Sequence, residues 1–119
     1  MGMRAIETLA VGNVTLQAIG ALRPLLAGIR RRDRALSEQL VRAMTNVALC
    51  ITRAEFPVEG TRRGHLFAAL ASVGEAQVML QIAIEGDYCA RQRAKPARAL
   101  LDKTQAMVCE LAWQSARQR

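Results

Sequence analysis

The sequence predicts an all-α fold, an antiparallel up-and-down four-helix bundle in a single domain spanning residues 1–119. Three observations predict it. Four apolar stripes recur at intervals of three, four or seven residues, proline or glycine stands at two of the breaks between them, and no segment alternates apolar and polar residues as a half-buried strand would. Hydrophobic residues make up 51% of the 119 residues and charged ones 23%, a composition that folds rather than stays disordered. Aromatics are only 3%, so Leu, Ile, Val, Met and Ala fill the interior, which suits closely packed helices.

The first helix is expected from Arg4 to Ile29, with Ile6, Leu9, Leu16, Ile19, Leu22, Leu26 and Ile29 as its apolar stripe. Pro24 interrupts it, but its ring presses on the carbonyl of Gly20, where a missing side chain leaves room, so a kink rather than an end is expected. Arg30 to Arg34 then form a solvated connection. The second helix, Ala35 to Ala54, carries Leu36, Leu40, Ala43, Val47, Cys50 and Ala54 in alternating fours and threes, the seam of an antiparallel bundle. A polar stripe, Gln39, Arg42, Asn46 and Arg53, runs beside that seam.

Phe56 to Gly60 make the next turn, with Pro57 blocking continuation of the helix. The third helix, Thr61 to Glu85, is capped by Thr61 and repeats the spacing through Leu66, Leu70, Val73, Gln77, Leu80 and Ile84. Gly86 and Asp87 end it, Tyr88 to Lys95 form a basic link, and Pro96 is expected in the first turn of the fourth helix, whose stripe is Leu100, Thr104, Met107, Leu111 and Ser115. Some helices have apolar residues to spare: Phe67, Val78 and Ile82 on the third, Met44 and Ile51 on the second. A lone bundle needs one apolar face per helix, so this surplus predicts a second buried face and hence self-association.

Catalytic and metal chemistry finds little support. His65 is the single histidine and reads as a surface or half-buried residue near a helix start. Cys50, Cys89 and Cys109 are odd in number and widely spaced, which predicts free, mostly buried thiols rather than a disulfide framework or a metal motif. Paired Glu-x-x-His motifs and glycine-rich phosphate loops are missing from the sequence. The expectation is a protein that is not an enzyme and takes no cofactor and no metal. Charge breaks the apolar runs before the ~20 residues of a membrane span, so the chain reads as cytoplasmic with no membrane partner.

Charge is where the sequence speaks most about partners. Seventeen basic residues, fifteen of them Arg, stand against ten acidic ones for a net charge of +7. In an up-down bundle the first and third connections share one end. Arg30, Arg31, Arg32, Arg34, Arg91, Arg93, Lys95 and Arg98 gather there with Asp33, Glu38, Glu85 and Asp87, a net +4. Arg4, Arg53, Arg62, Arg63, Arg117 and Arg119 gather at the other end with Glu7, Glu55 and Glu59, a net +3, and the shaft is neutral. Two basic ends could receive phosphates, although basic residues at helix C-termini also favour the helix dipole with nothing bound. Antiparallel pairing of the second and third helices further puts Arg42 level with Glu75 and Asn46 level with Ser72, a polar row able to hold the two helices in register.

The middle of the chain resembles the small bacterial four-helix bundle family of proteins encoded in intervening sequences of large-subunit ribosomal RNA genes. Gln39-Leu40-Val41-Arg42-Ala43, leading to Val47, Cys50, Ile51, Arg53 and Ala54, is similar to the family's QLRRA…SVxxNIAEG stretch. Ala71-Ser72-Val73-Gly74-Glu75, followed by Gln77, Leu80, Ile82, Ala83 and Tyr88, is similar to its GSxxExxxxLxxAxxxGY stretch. The departure is Cys50-Ile51-Thr52-Arg53-Ala54 in place of Asn-Ile-Ala-Glu-Gly, where Arg53 reverses a charge. The resemblance implies a homopentamer around a central channel with a non-enzymatic role. A related branch, the accessory variability determinant of diversity-generating retroelements, is a basic pentamer that binds nucleic acid and a reverse transcriptase, and the positive charge here is similar to that branch. Two function classes follow: a module binding RNA or DNA, as accessory to a ribonucleoprotein or reverse transcriptase, and a structural oligomer with a protein partner, whose charge serves solubility only.

Overall fold

The computed structural model describes residues 3–56 and 58–117. Pro57 and Arg119 lie outside the described residues, as does the side chain of Arg4. Four helices, α1 (Met3–Arg32), α2 (Arg34–Arg53), α3 (Arg62–Glu85) and α4 (Arg91–Arg117), account for nearly all of the described chain, and no strand occurs among the described residues. Each helix packs on its sequence neighbours and α1 also packs on α4, which closes an antiparallel four-helix bundle 46 Å long.

The α2 seam is buried as its spacing predicts, with Leu40 and Val47 fully enclosed and Leu36, Ala43, Cys50 and Ala54 buried beside them. Helix α1 differs from expectation. Its buried line is Thr8, Val11, Thr15, Ala18, Leu22, Leu25 and Ile29, an unbroken alternation of threes and fours, while Ile6, Leu9 and Leu16 are 52–62% exposed. Small and hydroxylated residues can line this seam because the buried Thr15 hydroxyl donates to the Val11 carbonyl at 2.8 Å and so carries no unmet polar group inward. Helix α4 is turned by one position in the same way. Ala94, Ala97, Leu101, Thr104, Val108 and Leu111 are buried, whereas Leu100, Met107 and Ser115 are half-buried.

The connections also correct the sequence reading. Only Asp33 separates α1 from α2: its extended backbone (φ −153°) breaks the helix and its carboxylate accepts from the Leu36 N–H at 2.9 Å, an N-cap that contributes about 1 kcal/mol. Arg30, Arg31, Arg32 and Arg34 are therefore helical rather than part of a loop. Pro24 does not end α1. Pro96 lies five residues into α4 instead of in its first turn, because Ala94 and Ala97 are both fully buried and their packing draws the preceding turn into the helix. Thr61 caps α3 as predicted, accepting from the Gly64 N–H at 2.9 Å. His65 is half-buried, and its Nε2 lies 2.8 Å from the Glu59 carbonyl, tying α3 to the turn before it.

The surplus apolar residues divide. Met44 and Ile51, expected outside the seam, are 2% and 3% exposed and belong to the core. Phe67 is half-buried, its ring edge-on to Trp113 with centroids 5.3 Å apart. Val78 and Ile82 do face outward, joined by Val41 and Leu49 of α2 and by the three α1 residues. By length and composition α1 and α3 are as apolar as membrane-crossing helices, yet only 33% and 44% of their most apolar stretches is buried in the bundle.

Candidate nucleic-acid interface

One end of the bundle is assembled from the last turn of α1, the first turn of α2, the end of α3 and the start of α4. The link after α3 presses on α1 at Gly28, where an added Cβ would stand 2.9 Å from the Tyr88 carbonyl. Arg32 lies over the Tyr88 ring, 5.6 Å from its centroid, and Arg93 donates to the Pro24 carbonyl at 3.3 Å. Those two cations are oriented by neutral partners and keep their charge. Arg34 pairs with Glu38 at 3.1 Å and Arg91 with Glu85 at 2.8 Å, both exposed pairs worth ~0–1 kcal/mol. The Arg91 hydrogen bond, helped by Gln81, holds the Glu85 carboxyl below the usual carboxylate range. Arg30, Arg31, Lys95 and Arg98 are exposed and meet no carboxylate within ion-pair distance among the described residues.

At the opposite end Arg62 is not a free cation. Its Nε donates to Glu55 at 3.1 Å, that carboxylate also accepts from the Thr8 hydroxyl at 2.8 Å, and the Arg62 side chain is only 18% exposed. The arrangement fastens α1, the segment after α2, and α3 to each other. It leaves Arg62 Nη2 buried with no partner, so this residue's first task is closing the bundle. Arg53 and Arg63 are exposed. Arg117 reaches Glu110 at 3.6 Å.

In the polar row between α2 and α3, Asn46 Nδ2 donates to Ser72 Oγ at 2.6 Å, as the predicted register requires. Arg42 and Glu75 line the same open groove, of about 610 Å³, without forming an ion pair. A cross-helix contact missed by the sequence reading joins α3 to α4, where Gln77 donates to Asp102 at 2.9 Å. Gln77 falls on the apolar stripe of α3 by its spacing, and a polar residue at a seam position is the available signal. Among the described residues no group of three or more His, Cys, Asp or Glu side chains is placed to hold a metal ion.

Helix polarity separates the basic residues into two kinds. Arg30, Arg31, Arg32 and Arg53 occupy last turns, where the dipole favours cations. Arg34, Arg62, Arg63, Arg91 and Arg93 occupy first turns, where the dipole disfavours them, and no helix has an acidic residue in its first turn. The dipole does not favour these five, and three of them, Arg34, Arg62 and Arg91, are held instead by the carboxylates of Glu38, Glu55 and Glu85. Exposed N-terminal turns add their own unsatisfied N–H groups, which also suit an anion.

These features define an all-α, four-helix protein with basic ends. No protein-family model matches the chain, and no curated protein matches it in sequence. Among solved structures it is similar to a protein of unknown function from the S23 ribosomal protein family from Bacteroides thetaiotaomicron VPI-5482, with a TM-score of 0.76 at 17% identity, over 90% of this chain and 98% of that one. At that identity the likeness shows the shared fold.

Proposed function

We propose that this chain is a non-enzymatic homo-oligomer, a pentamer as the sequence resemblance implies, that binds RNA or DNA through its basic ends as accessory to a ribonucleoprotein or a reverse transcriptase. The observation that carries the reading is the group of exposed cations at one end, Arg30, Arg31, Lys95 and Arg98, none of which meets a carboxylate within ion-pair distance among the described residues. A phosphate backbone supplies the counter-charge that these cations lack, and parallel subunits would gather each end into a ring of basic side chains. With the ends about 46 Å apart and a screening length of ~8–10 Å, each end acts as a separate electrostatic site. At the end that holds Arg30 to Arg32, Tyr88 is engaged with Arg32, so base stacking contributes little there and sequence discrimination is weak.

The test is fluorescence anisotropy with RNA and DNA of several sequences at low salt. Replacing Arg30, Arg31 and Arg32 with Gln should weaken binding to a similar degree across all of them. Failure of the wild-type protein to bind any of them would favour the second reading, a structural oligomer binding a protein partner, to which the exposed apolar residues of α1 and α3 also lend support.

A further inference from the structure

Helix α1 carries no charge from Thr8 to Leu22, and from Gly64 to Ile84 the sole acidic or basic side chain of α3 besides His65 is Glu75. The bundle buries one line of each helix and leaves another outside. On α1 the outer line is Leu9, Leu16 and Arg23, seven residues apart and so stacked along one face, with Leu9 and Leu16 57% and 62% exposed. On α3 it is Ala68, Glu75 and Ile82, also seven apart, with Val78 beside them, 60% exposed. Neither Arg23 nor Glu75 has an ion-pair partner among the described residues.

Both charges stand at the same height. Arg23 lines the α1–α2 groove with Leu40, Val41, Met44 and Thr45, and Glu75 lines the α2–α3 groove with Arg42, Ala43 and Asn46, so they flank the same turn of α2. The two outer lines lie on adjacent sides of the bundle rather than on opposite ones, since both border α2. Joining two different, adjacent faces head to tail bends successive copies around an axis, and such a heterologous contact forms a ring where the rotation closes.

We propose that a second copy of this chain covers these faces, the outer line of α1 in one copy packing on the outer line of α3 in the next, with an Arg23–Glu75 ion pair between subunits. This rests on the self-association proposed above and names its contact. Helices α1 and α3 run in the same direction, so in copies standing side by side the matching seven-residue intervals bring Leu16 over Ala68, a large side chain over a small one. The same intervals bring Arg23 to Glu75 and the stem of Arg30 to Ile82. One unpaired charge of each sign at one height on otherwise apolar faces is complementarity that a lipid surface would not need. Arg42 brackets Glu75 from the other side of the groove and defines the competing arrangement, a two-fold dimer in which Arg42 of each copy meets Glu75 of the other.

Native mass spectrometry and light scattering of the full chain test the contact, with circular dichroism to show that each variant keeps its helices. The wild type should form a species larger than a dimer. Arg23→Glu and Glu75→Arg should each raise the concentration needed for assembly by tenfold or more, Leu16→Asp should do the same, and the combined Arg23→Glu/Glu75→Arg chain should assemble like the wild type. A monomeric wild type would overturn the contact together with the self-association reading. A wild-type mass kept by all the single variants would overturn the contact alone. A dimer that Glu75→Arg breaks and Arg42→Glu restores would replace it with the two-fold arrangement.

Discussion

Asn46 on α2 and Ser72 on α3 are joined by a 2.6 Å hydrogen bond in which the amide donates to a hydroxyl that is itself 5% exposed. Cys50 Sγ lies 3.7 Å from the same amide's oxygen, so Asn46 is held from both sides. Removing Asn46 leaves the buried Ser72 hydroxyl without this partner, and removing Ser72 takes from the half-buried Asn46 amide its acceptor across the helix pair. Asn46→Ala and Ser72→Ala should each lower stability in urea titration by about 1 kcal/mol. Because they share one bond, the double variant should lose clearly less than the two losses added together. Full additivity would mean that the bond does not couple the two helices.

The Glu55 carboxylate, which accepts from both Thr8 and Arg62, sits under an arginine that is mostly enclosed. Glu55→Ala strips that cation of its counter-charge while Nη2 already lacks a partner, and should cost ~1–3 kcal/mol. Arg62→Met keeps the volume of the stem and removes the buried cation, so it should cost less than Glu55→Ala. The reverse order in thermal melts would show that the enclosed guanidinium is not penalised by the loss of its counter-charge.

Much of this architecture is legible in the sequence, and the failures have a common physical origin. Helix α2 reads cleanly because its large apolar residues fall on one line and its polar residues on the next. Helix α1 misleads because its seam uses Thr8, Thr15 and Ala18 while Leu9 and Leu16 face outward, so a reading weighted by side-chain size selects the wrong face over the first half of the helix. The one-residue link at Asp33 was hidden by the run of arginines around it. At the basic ends the sequence supplies which residues gather, but not which are engaged. That Arg62 is enclosed and Arg30 is not follows only from where Glu55 and Thr8 meet.

Two glycines of α1 should respond in opposite directions to alanine. Gly20 has nothing within 4 Å of an added Cβ, so Gly20→Ala should stabilise by about 0.5–1 kcal/mol through helix propensity. At Gly28 the added carbon would meet the Tyr88 backbone carbonyl at 2.9 Å, which a side-chain rotation cannot relieve. Gly28→Ala should destabilise by about 1–3 kcal/mol and loosen the link between α3 and α4. Proteolysis of that link and a melting curve would check both, and a neutral Gly28→Ala would show that the close approach is dispensable.

Burial pushes the Cys89 thiol above the usual thiol range, partly opposed by the Arg93 charge. The folded chain thus keeps a proton that the unfolded chain releases sooner. The stabilisation is fully present below the unfolded value and is lost as pH rises through the folded one. In iodoacetamide labelling read by mass spectrometry, Cys89 should react more slowly in the folded protein than in the denatured one at pH 8. Equal rates would show that the thiol is not shielded.

Salt dependence separates contact with phosphate from general attraction at the basic ends. Arg30 and Arg31 face no carboxylate, whereas Arg34 and Arg91 hold Glu38 and Glu85 at 3.1 and 2.8 Å. A cation that contacts phosphate directly releases condensed counterions. The logarithm of affinity then falls with the logarithm of salt by about 0.7–0.9 for each phosphate neutralised, the lower value for single strands. An arginine already shared with a carboxylate releases fewer, because its neighbour opposes the approach of phosphate. Arg30→Gln with Arg31→Gln should therefore flatten the slope by nearly two such steps, and Arg34→Gln with Arg91→Gln by clearly less. Arg62→Met should leave the slope unchanged, since that side chain is enclosed by Glu55 at the far end. Equal flattening by both exposed pairs would mean that the ends attract nucleic acid through net charge alone, with no particular arginine in contact.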